Sequence, residues 1–79
     1  MNWQENDRSL QKAFKTRNFV DLMEKLNRVA IVAEDMQHHP DFEVFGYNHV
    51  KFRLSTHDAS AITEKDYQLA EKIDAIFAV

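Results

Sequence analysis

Three of the four histidines lie beside predicted structural boundaries, and their side chains are the ones best suited to chemistry. His38 and His39 immediately precede Pro40, and His57 follows the end of an alternating apolar segment. Imidazole has an unperturbed pKa of roughly 6.5, so it can donate and accept protons near neutral pH. A cysteine-free chain that gathers histidines at element ends is therefore a candidate for acid–base catalysis or for metal binding.

Each of these residues also has a purely structural interpretation. His38 and His39 could be polar residues at a helix C-terminus, where the helix dipole favours positive charge. His57 taken alone could be an exposed loop residue, and His49 is predicted to lie at the surface, on the polar face of a strand. Asp66 could simply cap the helix that it begins, although a capping carboxylate can also orient a nearby imidazole.

A metal site is a second chemical interpretation of the same residues. Glu34 and His38 have the i, i+4 spacing that places two ligands on one helix face, and His57 would be the third ligand. His38 and His39 are a poor ligand pair, because adjacent side chains point in different directions. The sequence contains no glycine-rich phosphate loop, Ser-His-Asp order or CxxC pattern.

Length and composition restrict the class of protein. Seventy-nine residues predict a single domain, residues 1–79, with a small core. The net charge is −3 and the ten Lys and Arg residues are scattered, so no nucleic-acid partner is predicted. No stretch approaches the ~20 apolar residues of a membrane span, and the N-terminus lacks the apolar run of a secretory signal. The absence of cysteine agrees with a reducing compartment, so we expect a cytoplasmic protein.

Hydrophobic patterning predicts the order strand, strand, helix, strand, strand, helix. Apolar residues recur at three- and four-residue steps after Asn18, a good N-cap, and alternate with polar residues from Val50 to Leu54. Hairpins that alternate with single helices favour an α+β fold, a four-stranded antiparallel sheet with two helices packed on one face. The predicted elements are a hairpin in 1–17, a helix in 18–37, a hairpin in 42–55, a loop in 56–62 and a helix in 63–78.

The histidines and their spacing resemble the signature of the pterin-4a-carbinolamine dehydratase family. Glu34-x3-His38-His39-Pro40 is followed by Tyr47, His57 and Asp66, with six, nine and eight intervening residues. The similarity extends from about Trp3 to Ile73. Matching context is present in Tyr47-Asn48-x-Val50, in Leu54-Ser55-Thr56-His57-Asp58 and in Thr63-x-x-Asp66-x-x-Leu69-Ala70.

The resemblance implies an enzyme, a hydro-lyase that dehydrates 4a-hydroxytetrahydropterin to quinonoid dihydropterin. That reaction recycles the cofactor of aromatic amino-acid hydroxylases, and it needs neither a metal nor a cofactor, since the pterin is the substrate. The implied catalytic residues are His38, His39 and His57, with Asp66 as the orienting partner. The implied pterin-contacting residues are Gln37, His38, His39, Ser55, Thr56, His57 and Asp58.

The resemblance also implies an assembly and an alternative function. Family members form homodimers and homotetramers, and some are dimerisation partners of a transcription factor. A non-catalytic pterin-binding or protein-dimerisation module is therefore the alternative. Two departures from the family pattern are expected to matter. The usual helix before the first strand is expected to be absent, and Ala61 stands near a position where the family often has glycine, which would strain a left-handed backbone.

Overall fold

The predicted element order is confirmed in the computed structural model, which describes residues 2–79. Met1, the first residue of the predicted hairpin in 1–17, lies outside the described residues. The predicted loop in 56–62 contains a short 3₁₀ helix, His57–Ala59. The other elements are β1 (Gln4–Asn6), β2 (Ser9–Lys15), α1 (Phe19–Met36), β3 (Asp41–Phe45), β4 (His49–Leu54) and α2 (Glu64–Phe77).

The four strands form one antiparallel sheet in the order β1-β2-β4-β3. The alternation predicted for β4 holds, because Val50, Phe52 and Leu54 are buried while the intervening residues are more exposed. Both helices cover the face that carries these side chains, and Leu22 of α1 and Leu69 of α2 are fully buried there. The α+β fold class is therefore confirmed, with β1 and β3 as the two edges of the sheet.

Helix α1 begins as predicted and ends in a left-handed turn. The Asn18 side chain accepts a hydrogen bond from the Asp21 N–H at 2.8 Å. At the other end Gln37 has a φ of 52°, and the His38 N–H donates to the Ala33 carbonyl at 3.0 Å. The helix thus ends one residue earlier than predicted. The turn redirects the chain so that His38 is buried while His39 is exposed.

The predicted apolar face of α1 is only partly covered. Leu26 and Ala33 are buried, but Met23 remains exposed because the sheet ends at the neighbouring edge strand. Phe42 and Val44 of β3 are also exposed, and all five residues of this strand are solvent-accessible. An open, mainly apolar groove of about 480 Å³ results, which we call the α1–β3 groove.

An ion pair at the start of α1 makes a pH-dependent contribution to stability. Lys25 Nζ donates to Asp21 Oδ1 at 2.7 Å, and the Arg17 N–H donates to Asp21 Oδ2 at 3.2 Å. These two hydrogen bonds, the first being the larger cause, hold the pKa of Asp21 below its ordinary value of 3.8. The ionised carboxylate therefore stabilises the folded state at neutral pH.

We expect this contribution to disappear on acidification. Because the folded-state pKa is depressed, the stabilisation is complete above about pH 5 and is lost as pH falls through the folded-state value. The free energy of unfolding of the wild type should therefore approach that of Asp21→Asn only as the pH falls below 3.8 and through the folded-state pKa. Urea unfolding at several pH values gives the free energy of unfolding of both proteins. A difference between the two that stays constant into the acid range would contradict the expectation.

Candidate active site

The C-terminal turn of α1 places His38 against the start of α2. His38 Nε2 lies 2.6 Å from Asp66 Oδ1, within hydrogen-bond distance, and His38 is buried. Asp66 has 0% of its surface exposed. A buried carboxylate is destabilising unless hydrogen bonds or a charged partner compensate for its lost hydration. The contact with His38 is therefore part of what allows Asp66 to be buried.

The second carboxylate oxygen of Asp66 accepts two hydrogen bonds. The Thr63 N–H donates to Asp66 Oδ2 at 2.9 Å, so Asp66 caps the start of α2. The Thr56 hydroxyl donates to the same oxygen, also at 2.9 Å. Asp66 therefore caps its own helix and contacts an imidazole at the same time, as the sequence allowed.

His39 lies on the exposed side of the turn and contacts the Glu34 carboxylate. The predicted pairing of Glu34 with His38 is therefore wrong. Its i, i+4 spacing assumed a continuing helix, whereas the left-handed Gln37 breaks the helical spacing just before His38. His38 turns inward to Asp66 instead, and the next residue takes the place beside Glu34.

His57 begins the 3₁₀ helix that follows β4, and its side chain is fully exposed. Its Nδ1 lies 3.8 Å from Asp58 Oδ1, and that carboxylate is exposed as well. An imidazole with this much free surface can approach a ligand from several directions. Its exposure also means that replacing it removes little packing.

The predicted site residues from the two segments meet at one cleft. A pocket of about 290 Å³ lies between the end of α1, the end of β4 and the start of α2, and Asp66 lies behind it. This volume lies just below the roughly 300–1,000 Å³ that is usual for small-molecule sites. Its lining residues are Gln37, His38, His39, Ser55, Thr56, His57, Asp58 and Lys65.

Lys65 is the lining residue that sequence reasoning missed. It is exposed in the first turn of α2, immediately before Asp66. The sequence offered only this adjacency, which does not place the side chain at the cleft, because adjacent residues on a helix point in different directions. Its ammonium group adds a positively charged hydrogen-bond donor to the imidazoles, the carboxylate and the neutral polar side chains that line the pocket.

The loop after β4 closes without strain at Ala61. The left-handed residue is Ser60, with a φ of 48°, and its N–H donates to the His57 carbonyl at 3.1 Å. Ala61 is not among the residues with positive φ, so the expected strain at this alanine does not occur. Its carbonyl instead accepts a hydrogen bond from the Thr56 N–H at 2.9 Å.

Two further observations bear on other classes of site. Within residues 2–79, no three His, Cys, Asp or Glu side chains are grouped so that they could hold a metal ion. Glu34 and His38 contact different partners, so the ligand set of the alternative metal site does not assemble. None of the helices in the described part of the chain has the length and apolarity needed to span a membrane.

The structure thus brings the two histidines at the end of α1 and the histidine that follows β4 to one pocket of an α+β fold. The chain belongs to the family described as pterin 4 alpha carbinolamine dehydratase, whose sequence profile matches residues 1–76. The resemblance inferred from the histidine signature is therefore confirmed.

Relatives assigned by name to pterin-4-alpha-carbinolamine dehydratase cover nearly the whole chain. One from Sulfolobus acidocaldarius is 42% identical over 74 residues, which span 94% of this chain and 80% of the relative. Another from Herpetosiphon aurantiacus is 43% identical over 76 residues, which span 96% of this chain and 78% of the relative. The aligned stretches thus cover most of the sheet and of the two helices of this chain.

Two solved structures share the fold. A transcriptional coactivator/pterin dehydratase from Brucella melitensis has a TM-score of 0.90 and 32% identity, covering 95% of this chain and 81% of its own. A pterin dehydratase-like protein identified as a RuBisCO assembly factor in the alpha-carboxysome has a TM-score of 0.75, covering 95% and 86% of the two chains. Because the second is only 22% identical, it shows a common fold and nothing further.

Proposed function

We propose that this protein is a hydro-lyase that dehydrates 4a-hydroxytetrahydropterin to quinonoid dihydropterin by histidine acid–base catalysis. The observation that carries the proposal is the meeting of His38, His39 and His57 at one pocket of a chain that belongs to a dehydratase family. The product would return to the tetrahydropterin pool, so the reaction is a recycling step.

The chemistry needs two proton transfers. A protonated imidazole donates to the 4a-hydroxyl, the C4a–O bond breaks, and water leaves with the bonding electrons. A second imidazole removes a proton from a ring nitrogen, whose electrons form the new C=N bond. The net change is the loss of one water, and each proton transfer typically contributes about 10²–10⁴-fold to the rate.

The contacts of the histidines suit different roles. Asp66 accepts a hydrogen bond from the Nε2–H of His38, and in this tautomer Nδ1 is the nitrogen that can accept a proton. We assign His38 as the base that takes the proton from the ring nitrogen. His57 and His39 are exposed at the mouth of the same pocket, and we assign the proton delivered to the hydroxyl to one of them.

The test is the rate at which 4a-hydroxytetrahydropterin loses water with and without the protein. We expect the wild type to exceed the spontaneous rate clearly, and we expect the same from His49→Ala. His49 is the matched control because this fourth histidine lies on β4, away from the pocket. A wild-type rate equal to the spontaneous one would overturn the proposal.

We further propose that the reaction needs no metal or organic cofactor and that it takes place in the cytoplasm, as the composition leads us to expect. The proton transfers above use only imidazoles. Activity should therefore be unchanged after dialysis against a chelator, and activity that disappears with chelation and returns with a divalent ion would contradict this.

A non-catalytic pterin-binding or protein-dimerisation module is the second candidate. The observation that favours it is the exposed α1–β3 groove, which lies outside the histidine pocket for most of its length and is larger, about 480 against 290 Å³. A protein of the same fold, 22% identical to this chain, is identified as a RuBisCO assembly factor. Partner binding that survives replacement of all three histidines would favour this candidate.

We propose that the chain forms a homodimer or homotetramer through the edge strand β3. An exposed strand edge presents unpaired backbone groups, and Phe42 and Val44 are apolar residues that a second copy would cover. We expect light scattering to give at least twice the 9.3 kDa chain mass for the wild type.

Val44→Asp should shift that assembly toward the monomer, because pairing would bury the new charge. Gln4→Asp places the same charge on the opposite edge strand, β1, and should leave the assembly intact. A wild type that is only monomeric would contradict the proposal, as would a Val44→Asp variant with unchanged mass.

A further inference from the structure

The Thr56 hydroxyl points into the protein and contacts two groups of the α2 N-terminus. Thr56 Oγ1 lies 2.9 Å from Asp66 Oδ2 and 2.6 Å from Thr63 Oγ1. Thr56 also lines the histidine pocket and immediately precedes His57 in the chain. It therefore connects the segment that carries one histidine with the carboxylate that holds another.

The direction of these hydrogen bonds follows from the number of available protons. Each hydroxyl has one hydrogen, and an ionised carboxylate can only accept. Thr56 must use its hydrogen toward Asp66, so the Thr63 hydroxyl donates to Thr56. The Thr56 N–H is committed to the Ala61 carbonyl at 2.9 Å, and the Thr56 carbonyl accepts from the Ala59 N–H at 3.1 Å.

Thr56 thus has no hydrogen left with which to contact a substrate. Both of its donors are used within the fold, one toward α2 and one across the loop that contains the 3₁₀ helix. The hydrogen-bonded chain runs from Thr63 through Thr56 and Asp66 to His38. Replacing Thr56 would change the position of His38 through the Asp66 carboxylate. It would change the position of His57 through the backbone, because the two residues are adjacent.

We propose that Thr56 is a positioning residue, which fixes the His57-bearing loop and the His38 ring relative to each other through Asp66. This assignment rests on the proposed dehydration, because the geometry that Thr56 maintains is that of the two proton-transferring histidines. The side chain acts through these partners and does not take part in the chemistry. Thr63 supports it by supplying the hydrogen that Thr56 accepts.

Thr56→Val and Thr56→Ser separate this role from simple packing. Valine keeps the shape but removes the donor to Asp66 and leaves the Thr63 hydroxyl without its acceptor, whereas serine keeps both hydrogen bonds. We expect kcat to fall about tenfold or more in Thr56→Val with KM changed by less than about threefold, and to recover largely in Thr56→Ser. A misplacement of catalytic groups lowers the rate more than it lowers ground-state binding.

Thr16→Val is the matched control. Thr16 is a buried threonine, whereas Thr56 is partly buried, and the Thr16 hydroxyl donates to the Asn18 carbonyl at 2.9 Å, at the opposite end of α1 from His38. This variant should lose stability as Thr56→Val does but keep the wild-type kcat. A tenfold loss of kcat in Thr16→Val would mean that the effect of Thr56→Val comes from general destabilisation. That result would overturn the proposal.

A second readout does not depend on activity. Nitrogen and proton NMR of the imidazole rings reports the His38 Nε2–H that is hydrogen-bonded to Asp66. Thr56→Val should shift this signal or speed its exchange with water, while Thr16→Val leaves it unchanged. If Thr56→Val does not fold, Thr63→Val, which removes the next donor in the chain, should move the same signal in the same direction.

The outcomes distinguish this proposal from the proposed function. A wild type without activity would overturn the dehydratase, and the NMR comparison would still decide whether Thr56 positions His38. An active wild type with unchanged kcat in Thr56→Val, or an unchanged His38 signal in the folded variants, would overturn the positioning role alone.

Discussion

His57→Ala is expected to slow dehydration by about 10²–10⁴-fold without changing the midpoint of thermal unfolding. The imidazole is fully exposed on the 3₁₀ helix, so its removal leaves no cavity and no unsatisfied buried group. Its only role at this position would be contact with the ligand. Stopped-flow measurement of the dehydration rate, together with a thermal melt, tests both halves of the prediction.

The neighbouring Asp58 supplies a second control for His57. Asp58 lines the same pocket and is equally exposed, but its carboxylate is not part of the proposed proton transfer. Asp58→Asn should therefore change the rate far less than His57→Ala. Equal losses in the two variants would mean that the loop matters as a whole, and a wild-type rate in His57→Ala would remove this histidine from the mechanism.

Asp66→Asn is expected to reduce both stability and activity. The asparagine amide has one accepting oxygen in place of two. It therefore cannot accept the hydrogen bond from His38 and also those from Thr63 and Thr56. Leaving a buried donor unsatisfied costs about 1–3 kcal/mol, and the site has 0% exposure, so we expect a loss of about 2–4 kcal/mol. Urea unfolding measures this free energy, and the dehydration rate should fall together with it.

Asp74→Asn is the matched control on the same helix. The Asp74 carboxylate accepts from Trp3 Nε1 at 3.0 Å and from Lys12 Nζ at 2.7 Å, but its side chain is one-third exposed. Water can replace part of the hydrogen bonding that Asp74→Asn removes, so the loss in free energy of unfolding should be smaller than for Asp66→Asn. The dehydration rate should not change. If Asp74→Asn slows dehydration as much as Asp66→Asn, the orienting role of Asp66 is contradicted.

Local patterns in the sequence were sufficient for the secondary-structure elements, whereas the residues of the cleft were named by the resemblance to the family. The alternation of Val50, Phe52 and Leu54 predicted a half-buried strand, and Asn18 predicted the start of the first helix. Pro40 marked the boundary between the first helix and the third strand. These are interactions between near neighbours in the chain, which is why composition and spacing can report them.

The features that could not be predicted depend on tertiary packing or on a single backbone angle. The left-handed backbone at Gln37 ends the helix one residue earlier than predicted. His39 therefore contacts Glu34, and His38 contacts Asp66 instead. The complete burial of Asp66 depends on the end of another helix, and the position of Lys65 at the pocket depends on the same packing. The exposure of Met23 shows that an amphipathic pattern marks an apolar face without telling what covers it.

The structure of the protein with a bound reduced pterin tests the account most directly. Two chain segments about twenty residues apart must supply imidazoles to one bicyclic ring. We expect the ring to lie between the end of α1 and the 3₁₀ helix, with nitrogens of His38, His39 and His57 at hydrogen-bond distance from it or bridged to it by one water. A pterin seated in the α1–β3 groove, or one that leaves His57 in bulk solvent, would contradict the proposed catalysis.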